Sequence, residues 1–253
     1  MIFDSHSHYD DAAFDEDRDE VLQSLSSKGV DKIISVASSW DSLKKVCDIC
    51  HNYSFAYPAL GIHPENATDL TLERMPLLEA LIEKEHPVAI GEIGLDYHYD
   101  EPHRDFQKEI FIYHLDLARN LNLPIIVHSR DAAEETYETI KAHNPDRKGV
   151  IHCFSSSYEM AVKYVNMGYY IGIGGVVTFK NAAKLKEIAA KIPLDSILLE
   201  TDCPYMAPVP FRGKRNDSSL LSYVASEIAS LRGITPEEVI ETTYNNTCRL
   251  FNI

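Results

Sequence analysis

Two histidines one residue apart, His6 and His8, close the short apolar opening Phe3-Asp4-Ser5-His6-Ser7-His8. In a strand, residues two apart point to the same face, so both imidazoles would converge on one point, as ligands of a metal ion do. Matching donors stand at the ends of later apolar runs: Glu92 after Val88-Ala89-Ile90-Gly91, His128 after Ile125-Ile126-Val127, His152 after Val150-Ile151, and Asp202 after Ile197-Leu198-Leu199-Glu200-Thr201. Imidazole nitrogen and carboxylate oxygen suit zinc, manganese, iron and other first-row ions without any thiolate. A carboxylate can bridge two ions, and Glu92 is the central candidate for that. Water held between ions roughly 3.5 to 4 Å apart loses a proton near neutral pH, so the bridging hydroxide becomes the nucleophile. Asp202 can hold one ion and take that proton as general base, which makes Asp202 and Glu92 the catalytic candidates.

Taken singly, each residue has a plainer explanation. A lone histidine in a strand is more often packed or hydrogen-bonded than ligating, Asp202 before Cys203-Pro204 could cap a turn, and Glu92 between glycines could sit in one. Six such residues at the ends of strand-like runs are harder to explain by packing. Glu200, two before Asp202, would share its face one layer deeper. A buried carboxylate needs a partner, either a ligand imidazole that it orients or an internal salt bridge. His63 in Leu60-Gly61-Ile62-His63-Pro64 and Arg130 just past His128 are candidate substrate contacts, although Arg130 beside Asp131 could equally be a solvated pair. Arg212 in Phe211-Arg212-Gly213-Lys214-Arg215 adds local positive charge near the last ligand.

These residues need a scaffold that brings distant positions to one rim. Short apolar runs at 2–6, 32–37, 55–60, 87–92, 124–128, 149–153, 169–173 and 197–201 alternate with amphipathic stretches. The stretch 104–122 carries a helical stripe of Phe106, Ile110, Tyr113, Leu117 and Leu121. Gly29, Gly168 and Gly233 fall where helices should end. Ser156 with Glu159, and Thr235-Pro236 with Glu238, have the spacing of helix starts. Eight βα units predict an α/β fold, a (β/α)8 TIM barrel, whose strand C-termini face one mouth. No linker or change in composition breaks the chain, so 1–253 is expected to be one domain.

At 253 residues with 45% apolar and 25% charged side chains, the chain has the balance of a globular protein that can bury a full core. No apolar run reaches the roughly 18 residues of a membrane span, and the start has no basic region followed by a long apolar stretch. The five cysteines are an odd number, which disfavours a disulfide framework and points to a cytoplasmic protein with reduced thiols. Cys47 and Cys50 form a CxxC without a second pair, at helical spacing with Leu43 and Val46, and are expected to be structural. The net charge of -15 argues against long sequence-independent wrapping of nucleic acid, yet a local centre of two cations would be positive whatever the surface charge.

Six segments, Phe3 to His8, Ala59 to Pro64, Gly91-Glu92-Ile93-Gly94-Leu95-Asp96-Tyr97, Val127 to Arg130, His152-Cys153-Phe154-Ser155 and Leu199 to Tyr205, resemble in order the signature stretches of the TatD family of metal-dependent hydrolases. The resemblance runs from residue 2 to about residue 250 and implies an amidohydrolase-like barrel. It implies two divalent cations (zinc, manganese, magnesium, nickel or iron), one on His6, His8, Glu92 and Asp202 and the other on Glu92, His128 and His152. It also implies a DNA substrate, since characterised relatives are deoxyribonucleases, often exonucleases acting on single-stranded or damaged ends. Two departures stand out. Members usually carry Asn-Glu-Pro where this chain has Asn216-Asp217-Ser218, and commonly Thr and Cys or similar residues where Ser5 and Ser7 stand.

The expected function is a deoxyribonuclease cleaving phosphodiester bonds. A small-molecule hydrolase of an amide, lactone or phosphotriester could use the same centre, because fold and metals do not separate the two. A barrel that had lost its chemistry would lack some ligand positions, and all six are present. Neither a membrane nor an obligate protein partner is expected.

Overall fold

The computed structural model describes residues 1–99 and 102–253. Its strands are β1 (Ile2–Ser7), β2 (Val30–Val36), β3 (Ala56–Leu60), β4 (Ala89–Asp96), β5 (Ile125–Arg130), β6 (Gly149–Ile151), β7 (Tyr170–Ile173) and β8 (Ile197–Leu199). Between and after them lie the helices α1 (Arg18–Ser24), α2 (Trp40–Asn52), α3 (Met75–Glu85), α4 (Arg104–Leu121), α5 (Ala133–His143), α6 (Tyr158–Asn166), α7 (Ala183–Lys191), α8 (Leu221–Arg232) and α9 (Pro236–Phe251). The strands form one sheet in chain order, β1 to β8. Parallel strands in sequential order, alternating with helices, are the topology of a (β/α)8 TIM barrel. Among the described residues no helix is long and apolar enough to cross a membrane.

By its internal contacts the chain divides into two compact units, Met1–Ser35 with His152–Ile253, and Val36–Ile151. In the first, β7 pairs with β8 from Ile171↔Ile197 to Ile173↔Leu199, and β1 pairs with β2 through Phe3↔Lys32 and Asp4↔Ile33. The last strand returns to the first: the Ser5 hydroxyl donates to the Leu199 carbonyl at 2.9 Å, and Ser7 bridges Cys203. In the second unit, β3, β4, β5 and β6 follow one another in parallel register, with Leu60↔Ile90, Val127↔Ile93 and Val127↔Ile151 among the pairs. Ile125, Ile126 and Val127 are fully buried, as expected of a parallel strand covered on both faces.

Three sequence expectations shift. Strand β4 does not end at Glu92 but continues to Asp96. Between the pairs Ile90↔Ile125 and Ile93↔Val127, two residues, Gly91 and Glu92, face the single residue Ile126, so one extra residue bulges out there and turns Glu92 away from the regular alternation. The helix after β6 is capped by Ser157, which accepts from the Met160 amide at 3.2 Å, rather than by Ser156. The buried face of α4 comprises Gln107, Ile110, Phe111, His114, Leu115, Leu117 and Ala118. Leu121 is 41% exposed. Two polar residues on the inner face hid the stripe: Gln107 hydrogen-bonds the Asp96 backbone through both N–H and C=O, and His114 hydrogen-bonds the Ile110 carbonyl.

Other local readings hold. Thr235 accepts from the Glu238 amide with Pro236 opening α9, and Gly29, Gly168 and Gly233 adopt the left-handed backbone that ends a helical turn. Cys47 and Cys50 lie on α2. Burial pushes the Cys47 thiol up to about 11, and the Cys50 thiol further still, so both are inert packing groups.

Candidate metal centre

In the first unit the donors gather around the ends of β1 and β8. The rings of His6 and His152 stack with centroids 3.5 Å apart and 13° between planes. His6 Nε2 lies 3.0 Å from His8 Nε2. One Asp202 oxygen, Oδ1, lies 3.5 Å from His8 Nε2, 3.8 Å from His152 Nε2 and 3.9 Å from His6 Nε2. His6, His8 and His152 are buried. Metal–ligand bonds of about 2.1 Å put neighbouring donor atoms roughly 3 to 3.4 Å apart, so these spacings close onto a cation with movements of a few tenths of an ångström. Nitrogens facing one another in a buried site also repel unless a proton or cation lies between them. The donor set therefore fits a divalent first-row ion.

The backbone holds this cluster through Asp4, which sequence reasoning left unassigned. Its fully buried carboxylate accepts from the His6 and Thr201 amides at 3.2 and 3.0 Å on Oδ1, and from the Thr201 and Ser218 hydroxyls at 2.6 Å each on Oδ2. One side chain thus ties the HxH strand to the segment carrying Asp202. Burial pushes the Asp4 carboxyl up to about 7 against those four hydrogen bonds. Asp202 itself has a left-handed backbone, with φ of 57°, and its amide donates to the His6 carbonyl at 3.0 Å. Burial works to raise its carboxyl, but the His8 hydrogen bond and the fields of His152, His6 and His8 outweigh it and hold the group below the usual carboxylate range.

Glu200 lies behind His152. Its Oε2 stands 3.3 Å from His152 Nδ1 and its Oε1 accepts from the Cys153 amide at 2.5 Å. Glu200 and Asp202 therefore address opposite nitrogens of one imidazole. No lysine or arginine among the described residues pairs with Glu200, and the group its Oε2 faces is the His152 imidazole. Gly172 on β7 provides the space: a Cβ there would stand 2.2 Å from Glu200 Oε2.

In the second unit, ligand atoms of His63, Glu92 and His128 lie within 4.8 Å of one another. His128 Nδ1 is 2.9 Å from Glu92 Oε1 and its Nε2 is 2.9 Å from Asp96 Oδ2. Burial works to lower the His128 imidazole, but the hydrogen bonds to Asp96 and Glu92 outweigh it and push the group up to about 9. Asp96, 1% exposed and held by Gln107, orients the ring; it stood inside the Gly91–Tyr97 motif without an assigned role. His63 Nδ1 accepts from the Glu65 amide at 3.1 Å. In a neutral ring the proton then sits on Nε2, 3.6 Å from Glu92 Oε1, so His63 presents a donor rather than a ligand lone pair. Arg130 reaches to 4.0 Å from Asp96 Oδ2, while Asp131 pairs with His98 instead.

The remaining expected contact, Arg212, lies on the loop after β8 with its guanidinium 4.5 Å from the Phe179 ring centre. The family departures are absorbed locally. The hydroxyl of Ser5 bonds β8 and that of Ser7 donates to the Ile34 carbonyl at 2.8 Å. Asp217 accepts from the Ser219 amide, and Ser218 uses both its hydroxyl and its amide, the latter donating to the Tyr9 hydroxyl at 3.0 Å. A proline could make neither bond.

The model of the family described as TatD related DNase matches residues 3–252. The chain is 42% identical to the uncharacterized metal-dependent hydrolase YabD of Bacillus subtilis (strain 168), over 100% of both chains. It is 38% identical to the uncharacterized metal-dependent hydrolase YcfH of Escherichia coli (strain K12), over 100% of this chain and 96% of that one. The crystal structure of the TatD homologue YjjV from Escherichia coli K12 superposes with a TM-score of 0.95 at 35% identity, covering 100% of this chain and 98% of that one. With donor clusters suited to divalent cations on a (β/α)8 barrel, this chain belongs to the TatD family and is a metal-dependent hydrolase.

Proposed function

We propose that this hydrolase is a deoxyribonuclease that cleaves phosphodiester bonds in DNA, working inward from strand ends. The observation that carries the reading is the convergence of His6, His8 and His152 on one oxygen of Asp202, read with the family's description as related to DNases. We assign His6, His8, His152 and Asp202, together with Glu92 and His128, as ligands of two divalent cations. When bound, such cations withdraw charge from phosphoryl oxygens and make water acidic enough to attack near neutral pH.

The chain's own groups complete the step. Asp202, held ionised by its imidazole neighbours, accepts the proton of the attacking water as general base. The water oxygen forms a bond to phosphorus as the phosphorus–oxygen bond to the leaving nucleotide breaks in line; the bonding pair stays on the departing oxygen, which takes up a proton from solvent water. His63, whose protonated Nε2 faces outward from the Glu65 hydrogen bond, and Arg130 donate to the phosphate oxygens. Arg212 holds the strand beyond the scissile bond. Glu200 and Asp96 keep the His152 and His128 rings in place. The odd number of cysteines supports a reducing, cytoplasmic location.

The test incubates purified protein with end-labelled single-stranded and duplex oligonucleotides, alongside amide, lactone and phosphotriester substrates, across several divalent ions. Stepwise shortening of the oligonucleotides supports the reading. Intact oligonucleotides with turnover of a small substrate would replace it with the small-molecule hydrolase.

A further inference from the structure

The loop that leaves Asp202 is built as a stacking surface. Asn216 clasps its base: the side-chain amide donates to the Thr201 and Tyr205 carbonyls at 3.0 and 2.8 Å, and the backbone amide donates to the Pro204 carbonyl at 2.9 Å. On the other side the Val209 amide donates to the Thr178 hydroxyl at 2.8 Å. Gly175 lets the loop approach so closely that a Cβ there would stand 2.0 Å from the Met206 carbonyl oxygen. The Tyr205 amide bonds the Asp202 carbonyl, so the loop starts directly at a donor of the candidate metal centre.

A backbone anchored this firmly nevertheless turns apolar groups to solvent: Tyr205 is 54% exposed, Met206 and Val209 46% each, and Tyr223 on α8 41%. The Phe211 and Tyr223 rings meet edge to face at 5.3 Å, and the Tyr205 hydroxyl is fixed by Asp11 at 2.8 Å. The rings are therefore held in place before any partner arrives. Lys214 Nζ stands 6.0 Å from the Phe211 ring centre. Arg215 is committed to Asp17, through two bonds of 2.6 and 2.7 Å, whereas Arg212 and Lys214 form no ion pair among the described residues. In a chain of net charge -15, two cations outside any ion pair, on the loop that carries these aromatic rings, select a partner that is both anionic and planar.

We propose that Tyr205, Phe211 and Tyr223, with Arg212 and Lys214, form a subsite that stacks unpaired bases and holds the backbone of a single-stranded polynucleotide as it leaves the metal centre. The inference rests on the nuclease reading and adds the residues that grip the polymer. Stacking on rings tolerates any base, because each has a π face, and the cations follow the phosphates.

The test measures binding of a fluorescein-labelled 12-nucleotide oligo-dT by anisotropy in EDTA, where no cleavage occurs, over a range of salt concentrations. Tyr223→Ala is expected to weaken binding roughly 5- to 150-fold, the effect of losing one stacked base. Arg212→Gln and Lys214→Gln are each expected to reduce the salt slope by about 0.7, one phosphate contact on a single strand. Lys44→Gln on α2, outside the loop and α8, serves as the control. Rim variants that bind like the Lys44→Gln control, while circular dichroism shows them folded, would overturn the subsite. A parallel assay of wild-type protein on bis(p-nitrophenyl) phosphate separates the two readings. Ion-dependent hydrolysis there with unaltered oligo-dT binding in the variants removes the subsite and leaves the hydrolase, whereas oligo-dT binding lost in the variants without hydrolysis of any phosphodiester removes the nuclease and leaves the subsite.

Discussion

The carboxylate of Glu200 occupies the space that a side chain on Gly172 would need: a Cβ at that glycine would lie 2.2 Å from Oε2 and 2.6 Å from Cδ. The strand β7 therefore carries a glycine because the side chain of Glu200, directly after β8, fills its place with the acid that faces His152. Gly172→Ala should displace the carboxylate from both His152 Nδ1 and the Cys153 amide. We expect a 10- to 100-fold loss of metal affinity, roughly the effect of losing a partner that orients a ligand, measured by competition with a chelator of known affinity. Glu200→Gln, which keeps the shape, should lose affinity with less loss of thermal stability than Gly172→Ala. Wild-type affinity in both variants would show that His152 does not depend on this carboxylate.

Acid should destabilise the fold through His114. Burial lowers this imidazole to about 4, against the Ile110 carbonyl hydrogen bond that works to raise it. The unfolded chain takes up the proton at about 6.5, so between those values the unfolded state binds more protons and stability rises with pH. The contribution is complete above pH 6.5 and is lost as pH falls towards 4, with a limit on the order of 3 kcal/mol. Urea unfolding of wild type and His114→Leu at pH 7 and pH 4.5 checks this. The variant should lose less stability on acidification than wild type, and equal losses would exclude His114 as a source.

Ser218 should matter for stability although the family usually has proline in its place. Its hydroxyl reaches Asp4 at 2.6 Å and its amide donates to the Tyr9 hydroxyl at 3.0 Å, all in a buried setting. Ser218→Pro removes both donors and should cost about 1 to 3 kcal/mol per buried group left unsatisfied, seen as a lower thermal midpoint. Ser218→Ala, which keeps the amide, should cost less. A midpoint unchanged in the proline variant would mean that the chain rearranges to the family's usual form.

Much of the scaffold is legible in the sequence because parallel strands buried on both faces leave near-continuous apolar runs, as at Ile125-Ile126-Val127. His6, His8, His152 and Asp202 are legible as a set because the barrel topology sends strand ends to one rim. What escapes has a common physical origin. The bulge at Gly91-Glu92 breaks the alternation from which strand ends are read. Gln107 and His114 are polar residues on a buried helix face, so the apolar stripe shares Ile110 and Leu117 with that face but is offset from it. Asp4 and Asp96 act on backbone amides and on a neighbouring ring, partnerships that depend on which distant segment lies alongside. The Asp4–Ser218 bond spans 214 positions, and no local pattern announces it.

Hydrolysis of a labelled oligonucleotide by chelator-treated and manganese-restored protein, wild type beside Asp202→Asn, tests the metal-dependent nuclease most directly. Wild type should lose activity in chelator and regain it with the ion. Asp202→Asn should remain folded, yet fall by a factor of about 10² to 10⁴ or more, as expected when a general base is removed. Undiminished cleavage in excess chelator after prolonged dialysis, or a wild-type rate in Asp202→Asn, would contradict it.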